Sequence, residues 1–521
     1  MRAYREAVEK LAKVRGFVPE ERPLLEEAFN FLTSSQKPFL LLNAPTGYGK
    51  TLLSFALTIR SLRDASLFDR VIHVLPMRSI IEDIQKTVED AFGFSRTKMM
   101  GSSEEFMHLF PLNVTTADTF TWDLLKLNTK RRHLVKAGIE FGYDYLTQAS
   151  VLTSLIIFDE AHFLLEDGSM ATAFSAVIEF LASQGVPLVV MTATLPRGHV
   201  KFFQKHARRN GYELKVLSPD ENDPFVKREL EKDISISFGS GNPLDFVEPG
   251  KRNAVIVNTV ERAVELYNRA VNRDLGFEKD KILLIHGRMR PSHKRALVSR
   301  LREMEDESFL LIGTQAVEAG VDFSSDVMIT DRAPINSLLQ RFGRLVRHAK
   351  DRAGRAIIIE DAPTGPYQPR NVALTLARIK ELGIHPRVPS TYAEIVTEVH
   401  GSSASSVKRF INQSLKGKLV RLMADPSKRA THVLGEVERL VARGTPIMRG
   451  FLAPLSVGGE VVLVSPKKLL ELHSRGLVEV RGASFELKNL DDAYRVAKMI
   501  ALGRDVEIIY TGQYDRERGI L

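Results

Sequence analysis

Short apolar runs recur along the first two thirds of the chain, and longer stretches of mixed apolar and charged residues separate them. The runs are rich in Val, Ile and Leu, a pattern typical of strands that are buried on both faces of a parallel sheet. The mixed stretches, such as KTLLSFALTIRSLRD and SIIEDIQKTVEDAF, predict the helices that cover such a sheet. This alternation predicts an α/β fold with doubly wound parallel sheets.

The runs fall into two blocks, each of which predicts one sheet. The first block contains PFLLLNA, RVIHVLP, LNVTTAD, SLIIFDE and PLVVMTA, and the second contains NAVIVNT, KILLIHG, SFLLIGT, DVMITDR and RAIIIED. Between the blocks, residues 217–233 are strongly charged and contain two prolines, so they predict a linker. A Pro/Gly cluster at 361–369 predicts a second boundary.

These boundaries predict three domains, 1–220, 221–365 and 366–521. The last domain is predicted to be an accessory α+β region. It is helical at first and continues with EVVLVSPKKLLELHSRGLVEVRGASFEL, which alternates between strand-like and helix-like patterns. No motif in this region indicates its role.

Composition narrows the class of protein. The 521 residues carry a net charge of +9, which weakly favours a polyanionic partner. The chain has no cysteine, which excludes disulfides, thiolate metal ligands and cysteine nucleophiles. The N-terminus lacks the apolar stretch of a signal peptide, and every apolar run is far shorter than the ~18 residues of a membrane span. We therefore expect a cytoplasmic protein without a membrane partner.

The stretch LLNAPTGYGKT, residues 41–51, places a small-residue turn between a predicted strand and a predicted helix. In this setting backbone N–H groups bind phosphates, Lys50 adds a positive charge, and Thr51 offers a hydroxyl to magnesium. The predicted nucleotide-binding residues are Ala44, Pro45, Thr46, Gly47, Tyr48, Gly49, Lys50 and Thr51. The strict phosphate-loop pattern has glycine at position 44. A turn that only caps the strand is therefore the alternative.

Asp159 and Glu160 directly follow another predicted strand. The carboxyl ends of parallel strands are where ligands bind in open α/β sheets. Asp159 is the candidate for holding Mg²⁺, and Glu160 is the candidate for orienting and deprotonating the attacking water. After the next strand, Thr192 and Thr194 are placed to hydrogen-bond the acidic loop and couple it to movement elsewhere. An ordinary strand–turn is the alternative for these two threonines.

The stretch APINSLLQRFGRLVRH contains Gln340, Arg341, Arg344 and Arg347 and is predicted to be helical. Arg344 and Arg347 are three residues apart, so on a helix they project from one face. Two guanidinium groups on one face suit a triphosphate, as arginine fingers do. A basic solvated helix is the alternative, which is weakened because the first block has no evident finger of its own.

The order of these motifs resembles that of the superfamily 2 helicases of the DEAH/DEAD type. APTGYGKT, LPMRSI, VTTADT, DEAH, TATLP, GTQAVEAGVDF and QRFGRLVRH occur in the family's order between residues 38 and 350. The sequences of the stretches MTATLP, TQAVEAGVD and TDRAPINSLLQRFGRLVRH are similar to the corresponding motifs of the CRISPR-associated helicase of type I interference systems. The resemblance implies two RecA-like domains with ATP between them. It also implies 3′-to-5′ translocation on single-stranded DNA after recruitment by a crRNA-guided surveillance complex.

The resemblance also implies roles for residues. It gives phosphate and Mg²⁺ contacts to Lys50, Thr51 and Asp159, and water activation to Glu160. Coupling is implied for Thr192, Thr194 and His162. Asp322 is implied near the ribose, and triphosphate contacts are implied for Gln340, Arg344 and Arg347. Contacts with the nucleic-acid backbone are implied for Arg78, Thr116, Asp118 and Thr314.

Two departures limit the resemblance. Many relatives have a glutamine before the phosphate loop that reads adenine, whereas GFVPEERPLLEEAF has none, so the preference for ATP stays open. Many members of the CRISPR family carry an N-terminal HD nuclease, but none of the 13 histidines precedes an aspartate. The chain therefore resembles the split form, whose HD nuclease is a separate protein.

Alternatives remain open for the whole chain and for its last region. The alternative functions of the chain are a DEAH-type RNA or DNA-repair helicase and a nucleotide-binding scaffold subunit of a nucleic-acid complex. The region 366–521 either gates the DNA path or docks a partner, or it only packs against the core.

Overall fold

The computed structural model describes residues 1–16, 19–76, 81–93, 107–128, 131–140, 142–166, 168–318, 321–401, 404–447, 451–502 and 504–520. The chain forms two packing units, Met1–Lys227 with Val396–Gly450, and Arg228–Ile395 with Phe451–Leu521. The predicted accessory region 366–521 is thus shared between the units, because its middle part packs with the first sheet and its ends pack with the second. The domain boundaries drawn from the sequence stay predictions.

A six-stranded parallel sheet forms the centre of the first unit. Its strands are β1 (Pro38–Asn43), β2 (Arg70–Leu75), β3 (Leu112–Thr116), β4 (Ser154–Phe158), β5 (Leu188–Thr192) and β6 (Glu213–Leu217). They lie in the order β3-β2-β4-β5-β1-β6. The helices around them are α1 (Arg2–Arg15), α2 (Pro23–Ser34), α3 (Thr51–Arg63), α4 (Ile81–Phe92), α5 (Ala117–Leu124), α6 (Arg132–Lys136), α7 (Tyr143–Leu152), α8 (Phe163–Glu166), α9 (Gly168–Ser183) and α10 (Arg197–Arg209). Helix α11 (Pro224–Leu230) follows at the end of the unit.

A second six-stranded parallel sheet forms the centre of the second unit. Its strands are β7 (Asp233–Gly239), β8 (Arg252–Ile256), β9 (Ile282–Ile285), β10 (Phe309–Gly313), β11 (Val327–Asp331) and β12 (Ala353–Ile359). They lie in the order β7-β12-β11-β8-β10-β9. The helices of this sheet are α12 (Val260–Val271), α13 (Pro291–Glu303), α14 (Ile335–Phe342) and α15 (Pro369–Leu382). The predicted pair of doubly wound parallel sheets is confirmed.

The last part of the chain is helical at first and then mixed, as predicted. The helices are α16 (Pro389–His400), α17 (Ala404–Lys408), α18 (Gln413–Ala424) and α19 (Ala430–Ala442). Within the first unit, α18 packs on α9 and α19 packs on α6. The remaining strands are β13 (Ala453–Val457), β14 (Glu460–Val464), β15 (Val478–Arg481) and β16 (Glu507–Tyr510), with helices α20 (Pro466–Ser474) and α21 (Leu490–Ala501). These strands form a mixed sheet in the order β14-β13-β16-β15.

The predicted linker at 217–233 contains the boundary between the two packing units, but it is folded and not an extended connection. This segment contains α11, and Phe225, Glu229 and Lys232 are buried in the structure. Three of its charged residues, Asp223, Glu229 and Lys232, are buried, whereas others such as Glu221 and Lys227 are exposed.

In the part of the chain that the structure describes, no helix combines the length and the apolar character needed to cross a membrane.

Candidate nucleotide site

The turn after β1 has backbone conformations that glycine adopts readily. Gly47 has a φ of 86° and Gly49 has a φ of 93°, both in the left-handed region where a side chain is strained. Ala44 has no positive φ, and its N–H donates to Thr192 O at 3.0 Å. The backbone therefore does not require glycine at position 44, which accounts for the departure from the strict phosphate-loop pattern.

Tyr48 anchors this turn to the end of the first unit. Its hydroxyl donates to Asp223 Oδ2 at 2.5 Å, and its ring packs edge-on against Phe225 at a centroid distance of 5.1 Å. Arg22 donates to Tyr48 O at 3.1 Å. Burial and the Asp223 bond raise the pKa of Tyr48 well above its usual range, so the hydroxyl stays a donor. Sequence reasoning missed Asp223, because it lay in the predicted linker.

Lys50 and Glu160 meet where α3 begins and β4 has ended. Lys50 Nζ lies 3.3 Å from Glu160 Oε1 and donates to Ala44 O at 2.9 Å. Lys50 is only 8% exposed, so this charge is directed into the site and not into solvent. The structure thus brings together the two side chains that the sequence assigned to phosphate and to water.

Asp159 is held by a buried hydrogen-bond chain that runs across the sheet. His73 Nε2 lies 3.3 Å from Asp159 Oδ2, and Ser54 Oγ lies 2.7 Å from His73 Nδ1. A carboxylate only accepts, so His73 Nε2 donates to Asp159 and its Nδ1 accepts from Ser54. Burial acts to raise the pKa of Asp159, but the His73 hydrogen bond and the charge of Lys50 outweigh it and hold the pKa below its usual value.

Glu160 adopts a φ of 45°, which is uncommon for a residue with a side chain. Its N–H donates to Asp159 Oδ1 at 2.9 Å, which stabilises this backbone conformation. Burial raises the pKa of Glu160, although the nearby ammonium of Lys50 opposes the shift. A carboxylate with a raised pKa is a stronger base toward water than an ordinary glutamate.

The predicted coupling residues are in contact with the acidic loop. His162 Nδ1 lies 2.8 Å from Thr192 Oγ1 and 3.4 Å from Glu160 Oε2. Thr192 Oγ1 donates to Thr194 O at 3.1 Å, so the His162 ring supplies the proton of the bond to Thr192. Burial lowers the pKa of His162 to about 3, which keeps the ring neutral. The chain from Glu160 to Thr194 is a physical connection between the two strand ends.

Thr51, at the start of α3, offers a hydroxyl, and Asp159, directly after β4, offers a carboxylate. Oxygen ligands of this kind suit Mg²⁺, and Asp159 has its carboxylate oriented by His73 and by the backbone of Glu160. The donor set therefore fits the predicted ion, and the assignment stays a prediction.

The prediction of a continuous helix through Arg347 is wrong. Helix α14 ends at Phe342, and Arg344 and Arg347 lie in the following turn. Val346 has a φ of 48°, which no helix allows. The two arginines therefore do not share a helix face. The turn forms because Ser325 N–H donates to Arg344 O at 2.9 Å and Val346 N–H donates to Ser325 O at 2.9 Å.

The other residues predicted in the second unit have different surroundings. Gln340 is buried. Arg347 Nε lies 2.7 Å from Asp322 Oδ1, so the predicted ribose residue is paired with a predicted finger. Arg341 is fully buried and donates to Glu318 Oε1 at 2.8 Å and to Thr330 Oγ1 at 2.7 Å, which gives it a structural role.

The predicted nucleic-acid residues belong to both units. Thr116 caps α5 by accepting from Thr119 N–H, and Asp118 lies in the first turn of that helix. Thr314 is buried at the end of β10 and accepts from Ala316 N–H. Arg78 lies outside the described residues. Contact of these residues with nucleic acid stays a prediction.

Two family models match the chain. Residues 23–202 match the DEAD/DEAH box helicase family. Residues 249–350 match the family described as CRISPR-associated nuclease/helicase Cas3, C-terminal. Residues 23–202 thus form a DEAD/DEAH box helicase domain. The chain has a DEAD/DEAH box helicase domain and a Cas3-like C-terminal domain, and it resembles the CRISPR-associated helicase Cas3, which confirms the resemblance stated from the sequence.

Curated relatives agree with the family models. The chain is 29% identical over 346 residues to the CRISPR-associated helicase Cas3 of Thermoproteus tenax, covering 63% of this chain and 57% of that protein. It is 26% identical over 371 residues to the CRISPR-associated nuclease/helicase Cas3 of Methanothermobacter thermautotrophicus, covering 66% and 42%. The chain thus spans about half the length of these relatives.

Solved structures show the same fold. The T. fusca Cas3–AMPPNP complex is similar with a TM-score of 0.54 at 17% identity, covering 84% of this chain and 56% of that chain. A chain in a CRISPR RNA-guided surveillance complex, pre-nicking, has a TM-score of 0.52 at 18% identity, covering 77% and 53%. These likenesses confirm the two RecA-like domains.

Proposed function

We propose that the chain hydrolyses ATP and uses the energy to move along single-stranded DNA in the 3′-to-5′ direction. The observation that carries the proposal is the buried contact of Lys50 with Glu160, 3.3 Å apart, with Asp159 directly before Glu160. A protein that only binds nucleotide has no need of a carboxylate with a raised pKa beside a phosphate-binding lysine. This contact therefore favours an enzyme over the scaffold alternative.

Each side chain has a role in this reaction. Lys50 leaves Glu160 and binds the phosphates, together with N–H groups of the turn and of the α3 N-terminus. Glu160 is then free to orient a water molecule and accept its proton. Asp159 and Thr51 would hold Mg²⁺, which would supply charge neutralisation at the phosphate oxygens. His162 keeps Glu160 and Thr192 in register while the proton moves.

We also propose that Gln340, Arg344 and Arg347 act on the triphosphate. The guanidinium groups stabilise the charge that develops on the transferred phosphoryl group. The support is the family resemblance and the fixed backbone of the turn that carries Arg344 and Arg347. Asp322, the residue proposed for the ribose, holds the Arg347 side chain in place through an ion pair.

The proposed setting is type I CRISPR interference. The relatives are named as CRISPR-associated helicases, and one structure of the same fold belongs to an RNA-guided surveillance complex. We therefore propose a crRNA-guided surveillance complex and a separate HD nuclease as partners. The net charge of +9 is consistent with a phosphate backbone as ligand. A DEAH-type RNA or DNA-repair helicase is the competing function.

Turnover with matched oligonucleotides tests the proposal. Single-stranded DNA is expected to stimulate ATP hydrolysis more than the same sequence as RNA or as duplex, and the stimulation weakens as salt rises. Stronger stimulation by RNA favours the RNA-helicase function. Nucleotide binding without stimulation by any polymer favours the scaffold. GTP and CTP in the same assay measure the preference for ATP. This preference is open because the chain lacks the glutamine that many relatives have before the phosphate loop.

A further inference from the structure

Val346 lies between Arg344 and Arg347 in a backbone conformation that a β-branched residue rarely adopts. Its φ is 48° and its side chain is fully buried. Such strain persists only where the surrounding structure holds it, and it clusters at functional sites. The segment 344–348, here called the arginine turn, must therefore be held by contacts that outweigh this strain.

Two buried cationic side chains donate hydrogen bonds to the carbonyl groups of the arginine turn. Lys232 Nζ donates to Val346 O at 2.8 Å and to His348 O at 3.1 Å. Arg387 Nη1 donates to the same Val346 O at 3.0 Å, and its Nη2 donates to Leu345 O. Hydrogen bonds from charged donors are stronger than neutral ones. The oxygen of the strained residue thus accepts from an ammonium and a guanidinium at once.

These cations are unusual because burying them is costly. The side chains of Lys232, Arg387 and Glu229 are each at most 1% exposed. Glu229 Oε2 lies 3.1 Å from Lys232 Nζ and also accepts from Arg387. The Glu229 carboxylate therefore pairs with both buried cations and, through Oε1, with the partly buried Arg228, and the turn carbonyls supply the remaining acceptors. Neutral groups hold an ordinary turn at lower cost.

The other side of the arginine turn is held as firmly. Arg347 N–H donates to Ser324 Oγ at 2.8 Å, and Val346 N–H donates to Ser325 O at 2.9 Å. The backbone from which Arg344 and Arg347 extend is therefore bonded on both faces.

We propose that Lys232 and Arg387 are positioning residues, which fix the backbone of the arginine turn and thereby the side chains of Arg344 and Arg347. This inference rests on the proposed role of those two arginines in ATP hydrolysis. A reacting group displaced by about 1 Å loses about 10²-fold in rate. Release of the strained turn is expected to have an effect of that order.

Lys126 supplies a matched control in the first unit. It is also a fully buried lysine, and its Nζ donates to Asp425 O at 2.8 Å and to Lys428 O at 3.5 Å, the carbonyls of a turn between two helices. Lys126→Met and Lys232→Met thus each remove two lysine-to-carbonyl contacts from a turn, and Lys232→Met also removes the ion pair with Glu229. Thermal unfolding establishes that both variants are folded at the assay temperature.

The expected result is a split between the kinetic constants. Lys232→Met lowers the kcat of DNA-stimulated ATP hydrolysis by about 10²-fold, with little change in the KM for ATP, whereas Lys126→Met retains the wild-type kcat. Arg387→Lys, which keeps the charge but not both carbonyl contacts, gives an intermediate kcat. If Lys232→Met does not fold, Arg387→Lys carries the same comparison. A kcat for these variants no lower than that of Lys126→Met overturns the inference.

A double-mutant cycle separates positioning from stability. On an Arg347→Ala background, the loss of kcat caused by Lys232→Met is expected to shrink, because one of the side chains it positions is gone. An equal loss on both backgrounds shows a general structural effect and overturns the inference. Wild-type turnover in Arg344→Ala and Arg347→Ala overturns the proposed role of the arginines themselves, which is a distinguishable result.

Discussion

The Lys50 ammonium is paired with the Glu160 carboxylate at 3.3 Å, so the phosphate-binding and the water-activating candidates neutralise each other. A nucleotide that binds at the turn must break this pair. Nucleotide binding and release of the base are therefore linked through one contact, which keeps Glu160 occupied until phosphate draws Lys50 away.

This contact predicts opposite binding defects for the two residues. Glu160→Gln removes the competing charge, so it is expected to bind ATP at least as tightly as the wild type while turnover falls about 10²–10⁴-fold. Lys50→Ala is expected to lose both binding and turnover. A fluorescent nucleotide and a phosphate-release assay measure the two properties, with the exposed Glu221→Gln as control. Near-wild-type turnover in Glu160→Gln would remove Glu160 from its proposed role.

The Ser54–His73–Asp159 chain predicts a change in metal dependence. His73→Leu leaves the Asp159 carboxylate without its ring partner, so the Mg²⁺ concentration for half-maximal turnover is expected to rise about 10–100-fold. Ser54→Ala is expected to shift it in the same direction but less, because it acts on the ring and not on the carboxylate. An unchanged Mg²⁺ dependence in His73→Leu contradicts this prediction.

The arginine turn predicts a loss of catalysis without a loss of nucleotide binding. Arg347→Ala is expected to lower stimulated turnover about 10³-fold, and Arg344→Ala is expected to act similarly with some added loss of stability, since its Nη2 donates to Glu318 O at 2.8 Å. Arg355→Ala, which breaks an exposed ion pair with Glu248, is the control. Full activity in the Arg347 variant would show that this side chain is not a finger.

Buried histidines predict acid sensitivity. Burial lowers the pKa to about 3 or about 4 for His162, His199, His206, His286, His385 and His400. Their neutral forms stabilise the fold fully above pH 6.5, the unfolded value, and this stability is lost as pH falls toward the folded values. Each histidine then costs about 1.4 kcal/mol per pH unit. Urea unfolding at pH 7.5, 6.5 and 5.5 measures the loss, and equal stability at 7.5 and 5.5 contradicts the prediction.

The sequence predicted the apolar strands but not the two polar edge strands, β6 and β7. All ten predicted strands are present, and they are apolar because both faces of each are covered. Strands β6 and β7 were missed because, unlike the buried edge strands β3 and β9, they consist mostly of exposed and partly buried residues. Their polar residues were indistinguishable from the linker predicted between the sheets.

The site was predictable where a local motif determines it. Asp159 and Glu160 directly follow β4, Lys50 ends the turn after β1, and parallel strands bring their ends together. His73 was missed because it lies inside a strand, where its neighbours in sequence give no sign that Asp159 follows the adjacent strand. The turn at Val346 was missed because contacts from Lys232 and Arg387, distant in sequence, override the local helical pattern.

The bond between Tyr48 and Asp223 bears on the speed with which a nucleotide associates. The hydroxyl, the ring and the carbonyl of Tyr48 each have a bonding or packing partner. The phosphate-binding turn therefore does not have to become ordered when a nucleotide binds. Preformed sites avoid the entropy cost of ordering a loop. Association is then a single bimolecular step, with an observed rate that rises linearly with nucleotide concentration, and Tyr48→Phe introduces a slower second phase.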